Sequence, residues 1–360
     1  MIKELKDVFE LATGCTAFVN ELLEIKNTKN KLQQNDNSGY NSQLASSGKY
    51  SKLASSGDYS KLASSGYSSQ LASSGDYSKL ASSGDYSKLA SSGYSSQLAS
   101  SGDYSKLASS GDYSKLASSG KYSQLASSGD YSKLDSSGYY SQLASSGKYS
   151  KLASSGNSSK LDSTGKNAVI SAIGINNIVK AKKGSWITLA EYDPNNNYKP
   201  VCVKSAQIDG EELKADTYYI LLDKKFQECV YIDGIISIVI SKHKNVYKVR
   251  NLGETQESFI VQDGDVYSHG STIQEAKDSL IYKISNRDTS KFDNYTFKTE
   301  LTLKEAIEMY RVITGACESG TRYFVENILT DKKEKYTVQE VITLTQGQYN
   351  HEKLVEFFKA

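Results

Sequence analysis

The chain is short of the residues from which a globular core or a metal centre is usually built. Its 360 residues include two Pro, two Met, one Trp and nine Phe. Set beside 27 Tyr and 26 Gly, that is a skew a conventional interior does not produce. Four cysteines, Cys15, Cys202, Cys229 and Cys317, lie far apart with no CxxC or CxxH spacing. Neither a zinc site nor a disulfide framework is supported, and free thiols in a reducing compartment are expected. No run of about 18 apolar residues occurs, so no spanning helix is expected. Lys3 and Lys6 are followed by no continuous apolar stretch, which argues against a secretory signal. A formal charge of +2 is too small for the one-signed field of an acidic nucleic-acid mimic or a basic nucleic-acid coat. The expected location is cytoplasmic, with no membrane partner.

What is present is a repeat. Glycines recur every nine residues from Gly39 to Gly156, giving fourteen units that run to Thr164. The consensus is Gly, a variable residue, Tyr, Ser, Lys or Gln, Leu, Ala, Ser, Ser. Leu holds the sixth place in every unit, from Leu44 to Leu161, and Ser holds the fourth, from Ser42 to Ser159. A flexible linker keeps composition but has no reason to keep register. One Leu per nine residues cannot build a core within a unit, so burial has to come from units stacked above and below, as in a solenoid. Gly and Ser at this density disfavour a helix and suit short strands ended by turns. The pattern predicts a β-solenoid with two units per coil, although the 27-residue spacing of Gln43, Gln70, Gln97 and Gln124 would also form a ladder at three.

Alternation along a strand puts Leu and the fourth-place Ser inside, with Tyr and Lys or Gln outside. The predicted exterior is a flat ladder of Tyr50, Tyr59, Tyr77, Tyr86, Tyr104, Tyr113, Tyr122, Tyr131, Tyr140 and Tyr149, beside Lys52, Lys61, Lys79, Lys88, Lys106 and Lys115. Asp at the second place always accompanies Lys at the fifth, as in Asp58/Lys61 and Asp76/Lys79, which would relieve the repulsion of a Lys ladder. Where the second place is Tyr, at Tyr40, Tyr67, Tyr94 and Tyr139, the fifth is Gln.

The flanks differ. Leu5, Phe9, Ala12, Phe18, Val19, Leu22 and Leu23 have helical spacing, suited to an N-terminal cap, and 27–37 reads as a polar connector. After Thr164 two degenerate units keep the Leu place as Ile170 and Val179. From about Gly184 strands read as Ser185–Leu189 and Val201–Val203, with Asp209-Gly210, Asp233-Gly234 and Asp263-Gly264 as turn pairs. Thr272/Glu275, Thr302/Glu305 and Thr337/Glu340 read as capping boxes of helices. The expected fold is mainly β: a nonapeptide-repeat β-solenoid with an N-terminal helical cap and a C-terminal α+β region ending in helices. Its divisions are a cap and connector at 1–38, the solenoid at 39–182 with regular repeats over 39–164, an α+β domain at 183–299 and a small helical unit at 300–360.

The Ala-Ser-Ser-Gly-Asp-Tyr-Ser-Lys-Leu array, followed by Gly184-Ser-Trp-Ile-Thr-Leu-Ala-Glu-Tyr192 and Val203-Lys-Ser-Ala-Gln-Ile-Asp-Gly210, resembles a group of bacteriophage and prophage proteins. The run from Thr302 to Cys317 is similar to a segment of the same group, so the resemblance covers roughly 39–360. The group brings no activity with it. It implies phage origin and residence in a host cell.

Chemistry is sparse. Calcium-binding nonapeptides need Gly-Gly-x-Gly-x-Asp, whereas each unit here has one Gly, so no metal is expected. His243, His269 and His351 stand isolated and read as surface or structural. Ser268-His269-Gly270-Ser271-Thr272 reads as a hairpin meeting a capped helix, and Thr314 to Gly320 as a helix-to-helix turn rather than a thiol site. No phosphate-cradling loop and no cofactor motif occur. The expectation is a non-catalytic, phage-encoded interaction protein that binds a host protein or a protein–nucleic-acid complex, one version being inhibition of a nucleic-acid-targeting defence enzyme. Naked nucleic acid is disfavoured by the small charge, and an oligomer is compatible with the pattern. The alternatives are a structural spacer or virion component, and an enzyme or small-ligand binder using 184–300.

Overall fold

The computed structural model describes residues 34–37, 39–284, 287–329 and 332–359. The helical cap and connector expected over 1–38 lie outside them except at 34–37. There the last part of the polar connector is a strand: Gln34–Asn37 pairs in parallel with Lys52–Ser55. Backbone pairing at a sheet edge is open to any non-proline sequence, so polar composition did not mark it. The chain divides into two compact units at 227/228, beyond the 182/183 boundary read from composition.

The first unit is a β-solenoid of about eight coils over 43–189. Each nonapeptide contributes one four-residue strand at places five to eight, and each coil takes two units. Leu53 therefore pairs with Leu71 in one sheet, and Leu62 with Leu80 in the other. Within a coil the strands belong to opposite sheets, joined by turns built from Ser, Gly, the variable residue, Tyr and Ser. The Gln spacing of 27 makes no ladder, since Gln43 lies beside Lys61 and Gln70 beside Lys52 and Lys88.

Leu at place six is at most 1% exposed from Leu53 to Leu161, forming one continuous apolar stack. The serines on either side are buried too, and their hydroxyls are consumed locally. In one unit, Gly93 N–H donates to Ser91 Oγ at 3.3 Å, Ser91 Oγ–H to Ser96 Oγ at 2.8 Å, and Ser96 Oγ–H to Gly93 O at 3.2 Å. This ring, repeated with small variations along the rod, lets small polar groups line a core without an unmet donor. Second-place aspartates do a different task from the one expected. Asp58 Oδ1 accepts Asp76 N–H at 2.8 Å, and Asp103 Oδ1 accepts Lys121 N–H at 2.7 Å, so each carboxylate ties its turn to the coil one step on.

Glycine at place one is required by contact. A Cβ at Gly57 would stand 2.0 Å from Gly39 O, and one at Gly102 would stand 2.2 Å from Gly84 O. The left-handed conformation of the turn falls instead on place three, where Tyr, Ser or Asn has φ of 54–58° from Asn41 to Asn167.

The coil continues past the regular repeats. Val169–Ala172 and Ile178–Ala181 keep Ile170 and Val179 buried, and Trp186–Asp193 adds a parallel rung with Ile187 beside Ile170. Antiparallel strands then follow in both sheets: Lys199–Gln207 pairs with Trp186–Asp193 and ends its sheet, while Tyr218–Leu222 pairs with Ile178–Ala181 in the sheet that continues beyond it. Ile208, Leu213, Tyr219 and Leu221 close the apolar stack.

Strand Lys225–Ile232 crosses the 227/228 division and turns at Asp233-Gly234 onto Ile235–His243, and in the second unit Val246–Asn251, Glu257–Asp263 and Val266–Gly270 follow as an antiparallel meander. Helix α1 (Ile273–Ile284) packs Ala276 and Leu280 on Val261. Helices α2 (Leu303–Thr314), α3 (Glu318–Tyr323), α4 (Val338–Leu344) and α5 (His351–Phe357) enclose a second core with Met309, Tyr310, Val338 and Leu354. Capping boxes at Thr302/Glu305 and Thr337/Glu340 form as expected. At Thr272 the hydroxyl accepts Glu275 N–H, but the Glu275 carboxylate takes Ser271 N–H instead.

Replacing Leu107 by Ala should cost about 2–5 kcal/mol, because neighbouring coils fix the cavity walls. Gly102→Ala should cost about 2 kcal/mol or more through the carbonyl contact, and exposed Ser101→Ala under about 0.5 kcal/mol. Urea unfolding of the three variants checks the order.

Candidate functional site

The ten tyrosines and six lysines expected to share one surface are distributed over four. Because the third place lies in a left-handed turn rather than a strand, Tyr leaves the sheet faces and stands at the two edges of the flattened coil. Lys61, Lys79 and Lys115 lie on the outer face of one sheet, and Lys52, Lys88 and Lys106 on the other. These faces are not equally open. Ala72, Ala90 and Ala108 on the second-named sheet are fully buried, whereas their counterparts Ala63, Ala81 and Ala99 are exposed.

Each edge carries a continuous row of tyrosine ring contacts, face-stacked between place-three rings and tilted or edge-on wherever Tyr40, Tyr67 or Tyr94 takes part. One runs Tyr50, Tyr67, Tyr86, Tyr104, Tyr122, Tyr140, with centroid spacings of 4.9–6.0 Å. The other runs Tyr40, Tyr59, Tyr77, Tyr94, Tyr113, Tyr131, Tyr149, at 5.0–5.8 Å. Where place three is Asn41, Ser68 or Ser95, the ring comes from place two: Tyr40, Tyr67 and Tyr94 fill the position in the stack. The exchange visible in the sequence therefore conserves a ring per coil. Stacking at this distance is worth about 0.5–1.5 kcal/mol per pair, the same order as the left-handed backbone cost at a bulky residue.

The stacks differ in surroundings. On the first, Tyr86, Tyr104 and Tyr122 are half-buried. Burial, with neighbouring Tyr122 and Tyr86 next, pushes the Tyr104 phenol up to about 12. On the second, every ring from Tyr59 to Tyr149 is exposed, and Asp58, Asp76 and Asp112 stand exposed beside them. That edge is aromatic and acidic. Its carboxylates repel phosphates, so it does not fit a nucleic-acid backbone.

The second unit contains a polar cluster that sequence spacing did not assemble. Asp233, in the left-handed first position of the predicted Asp-Gly turn, points its carboxylate inward. Lys283 on α1 donates to Asp233 Oδ2 at 2.5 Å and to Tyr267 O at 2.7 Å, and its ammonium sits 4.2 Å from the Tyr349 ring centre. Cys317, the N-cap of α3, donates its thiol to the same carboxylate oxygen at 3.0 Å and accepts Gly320 N–H at 3.2 Å. His269 is 3% exposed, with Nδ1 4.0 Å from Asp233 Oδ2, and neither ring nitrogen has a hydrogen-bond partner among the described residues.

Burial pulls the Asp233 carboxyl up, but the Lys283 ammonium, His269 and the two hydrogen bonds hold it below its ordinary value. Lys283 is correspondingly raised by Asp233 against the pull of burial. The pair is ionised. Burial, aided by Asp233, pushes the Cys317 thiol up to about 12, the opposite of an activated nucleophile. Burial, reinforced by Lys283, moves His269 down to about 4 and keeps the ring neutral. A thiol held protonated by a carboxylate is not the arrangement of a Cys–His nucleophile, in which the imidazole takes the thiol proton. Cys317 does stand in the expected helix-to-helix turn, and His269, read as surface or structural, is buried. The one signal available in the sequence was Lys283, which shares a helical face with Ala276 and Leu280 and so places a charge on a buried stripe.

Comparison with family models, curated proteins and solved structures finds no match.

Lys283→Met should destabilise the chain by about 3–5 kcal/mol, since it strands a buried carboxylate. Adding Asp233→Asn should recover most of that loss. A urea-unfolding cycle over the two singles and the double measures the coupling, and simple additivity would contradict the pairing.

Proposed function

We propose that this chain is a non-catalytic binding protein whose solenoid presents its second tyrosine stack, Tyr59 to Tyr149 with Asp58, Asp76 and Asp112, to a protein partner. The observation that carries this reading is the continuity of the stack. At Ser95 the ring is supplied from the neighbouring backbone position by Tyr94, and it remains exposed. A row of exposed rings about 24 Å long supplies the rigid, low-entropy contact area on which protein interfaces rely. Exposed carboxylates beside the rings favour a partner with Arg or Lys, which can stack on Tyr and pair with Asp together.

A phage protein acting in a host cell on a nucleic-acid-targeting defence enzyme is the narrower version, and it rests on the sequence resemblance alone. The spacer reading also needs stacked tyrosines, but for a spacer an exposed stack and a half-buried one are equivalent.

The variant Tyr113→Ser, Tyr131→Ser, Tyr149→Ser uses a residue the chain already places in this turn at Ser68, Ser95 and Ser158. It should keep its circular dichroism and lose capture of a host protein that the unaltered chain retains. The same captured set for both chains would remove the tyrosine edge from function and leave the spacer.

A further inference from the structure

The buried cluster of the second unit holds a histidine that the protein itself does not satisfy. Both nitrogens of His269 lack hydrogen-bond partners among the described residues at 3% exposure. An unmet buried polar group carries a desolvation cost of about 1–3 kcal/mol. It faces Asp233 and Cys317, and one donor atom from each of the three residues lies within 4.8 Å of the others. Thiolate, imidazole and carboxylate together are a donor set for zinc and its first-row neighbours.

The surroundings suit three ligands brought close. Gly320 makes room: a Cβ there would stand 2.9 Å from Asp233 Cβ and 3.2 Å from Cys317 Sγ. Gly320 N–H already points at the sulfur, where it would stabilise a thiolate. Beside Asp233 and Cys317 lies a cavity of about 60 Å³, lined by apolar side chains such as Leu303, Phe324 and Leu329 together with Thr321 and Gln348. The three residues come from a hairpin turn, the last meander strand and the α2–α3 turn, so a shared ion would fasten the sheet to the helices.

Lys283 is the obstacle, because it occupies Asp233 Oδ2. It also has two contacts that do not involve the carboxylate, Tyr267 O and the Tyr349 ring. The ammonium can keep these while ceding the oxygen.

We propose that Asp233, His269 and Cys317 form a transition-metal site of zinc type, in which the ion takes the place of the Cys317 thiol proton. The balance is simple. One M²⁺ enters, one proton leaves the sulfur for solvent, three bonds form to Oδ2, a His269 ring nitrogen and Sγ, and nothing is oxidised or reduced. Net charge in the cluster rises by one, so Lys283 weakens binding and its removal strengthens it.

Full-length protein stripped with chelator is titrated with Co²⁺ alone, then with Zn²⁺ as competitor. One equivalent of Co²⁺ should give thiolate-to-cobalt charge-transfer absorption, lost in Cys317→Ser and in His269→Asn. Lys283→Met should bind at least about tenfold tighter, which is about 1.4 kcal/mol, and its thermal midpoint should recover on adding Zn²⁺. Folded protein that takes up no cobalt overturns the proposal. So does a charge-transfer band that survives Cys317→Ser, since the ion would then sit on another thiol. Should Lys283→Met fail to fold, the Cys317→Ser and His269→Asn titrations decide alone.

Discussion

The solenoid depends on the close approach of each turn glycine to the carbonyl one coil below. No side chain fits there, because even a methyl group would stand about 2 Å from the oxygen. Glycine is held at place one for lack of space, although its own backbone is not left-handed. The left-handed residue of the turn is place three, where tyrosine, serine and asparagine are the occupants. A bulky side chain in that conformation is disfavoured by itself. Stacking on the equivalent residue of the next coil offsets the cost, and a run of such residues is therefore more favourable than one alone.

The interior is stabilised in a similarly collective way. A single leucine per strand offers little apolar area, but thirteen of them from Leu53 to Leu161 touch in sequence and exclude water together. Serine hydroxyls beside them would be costly in an apolar core if left unmet. Their rings with the turn glycine satisfy donor and acceptor within one corner of the coil, so each added unit brings its own hydrogen-bond closure. The same short cycle also fixes the turn whose edge displays the tyrosines, which ties the exposed surface to the buried chemistry.

In the second unit the corresponding constraint is one ion pair. Asp233 and Lys283 join the hairpin turn to α1, and Cys317 adds the α2–α3 turn through its thiol. A turn residue thus performs a second task that its local conformation does not announce. His269 is held against this pair in a position where its own nitrogens are idle, and that is the feature pointing beyond packing toward a bound ion.

Periodicity alone determined the solenoid, the inward Leu and Ser, and the helix starts at Thr302 and Thr337, because each depends on residues near in sequence or at a fixed repeat; it favoured a two-unit coil over a three-unit one, and the strand register decided between them. The exchange of Tyr94 for a ring at Ser95 was visible as a pattern, but its meaning was not, since a neighbour in the stack lies a whole coil away. Strand alternation failed at tyrosine because place three lies in a left-handed turn, outside the four-residue strand. Polar composition likewise concealed the strand at Gln34–Asn37, whose pairing needs a partner edge rather than an apolar side chain. The meeting of Asp233, His269, Lys283 and Cys317 was decided by tertiary structure alone. Four residues on a turn, a strand, a helix and a helix cap share no period, and only packing of the helices against the meander brings their polar atoms within reach of one another.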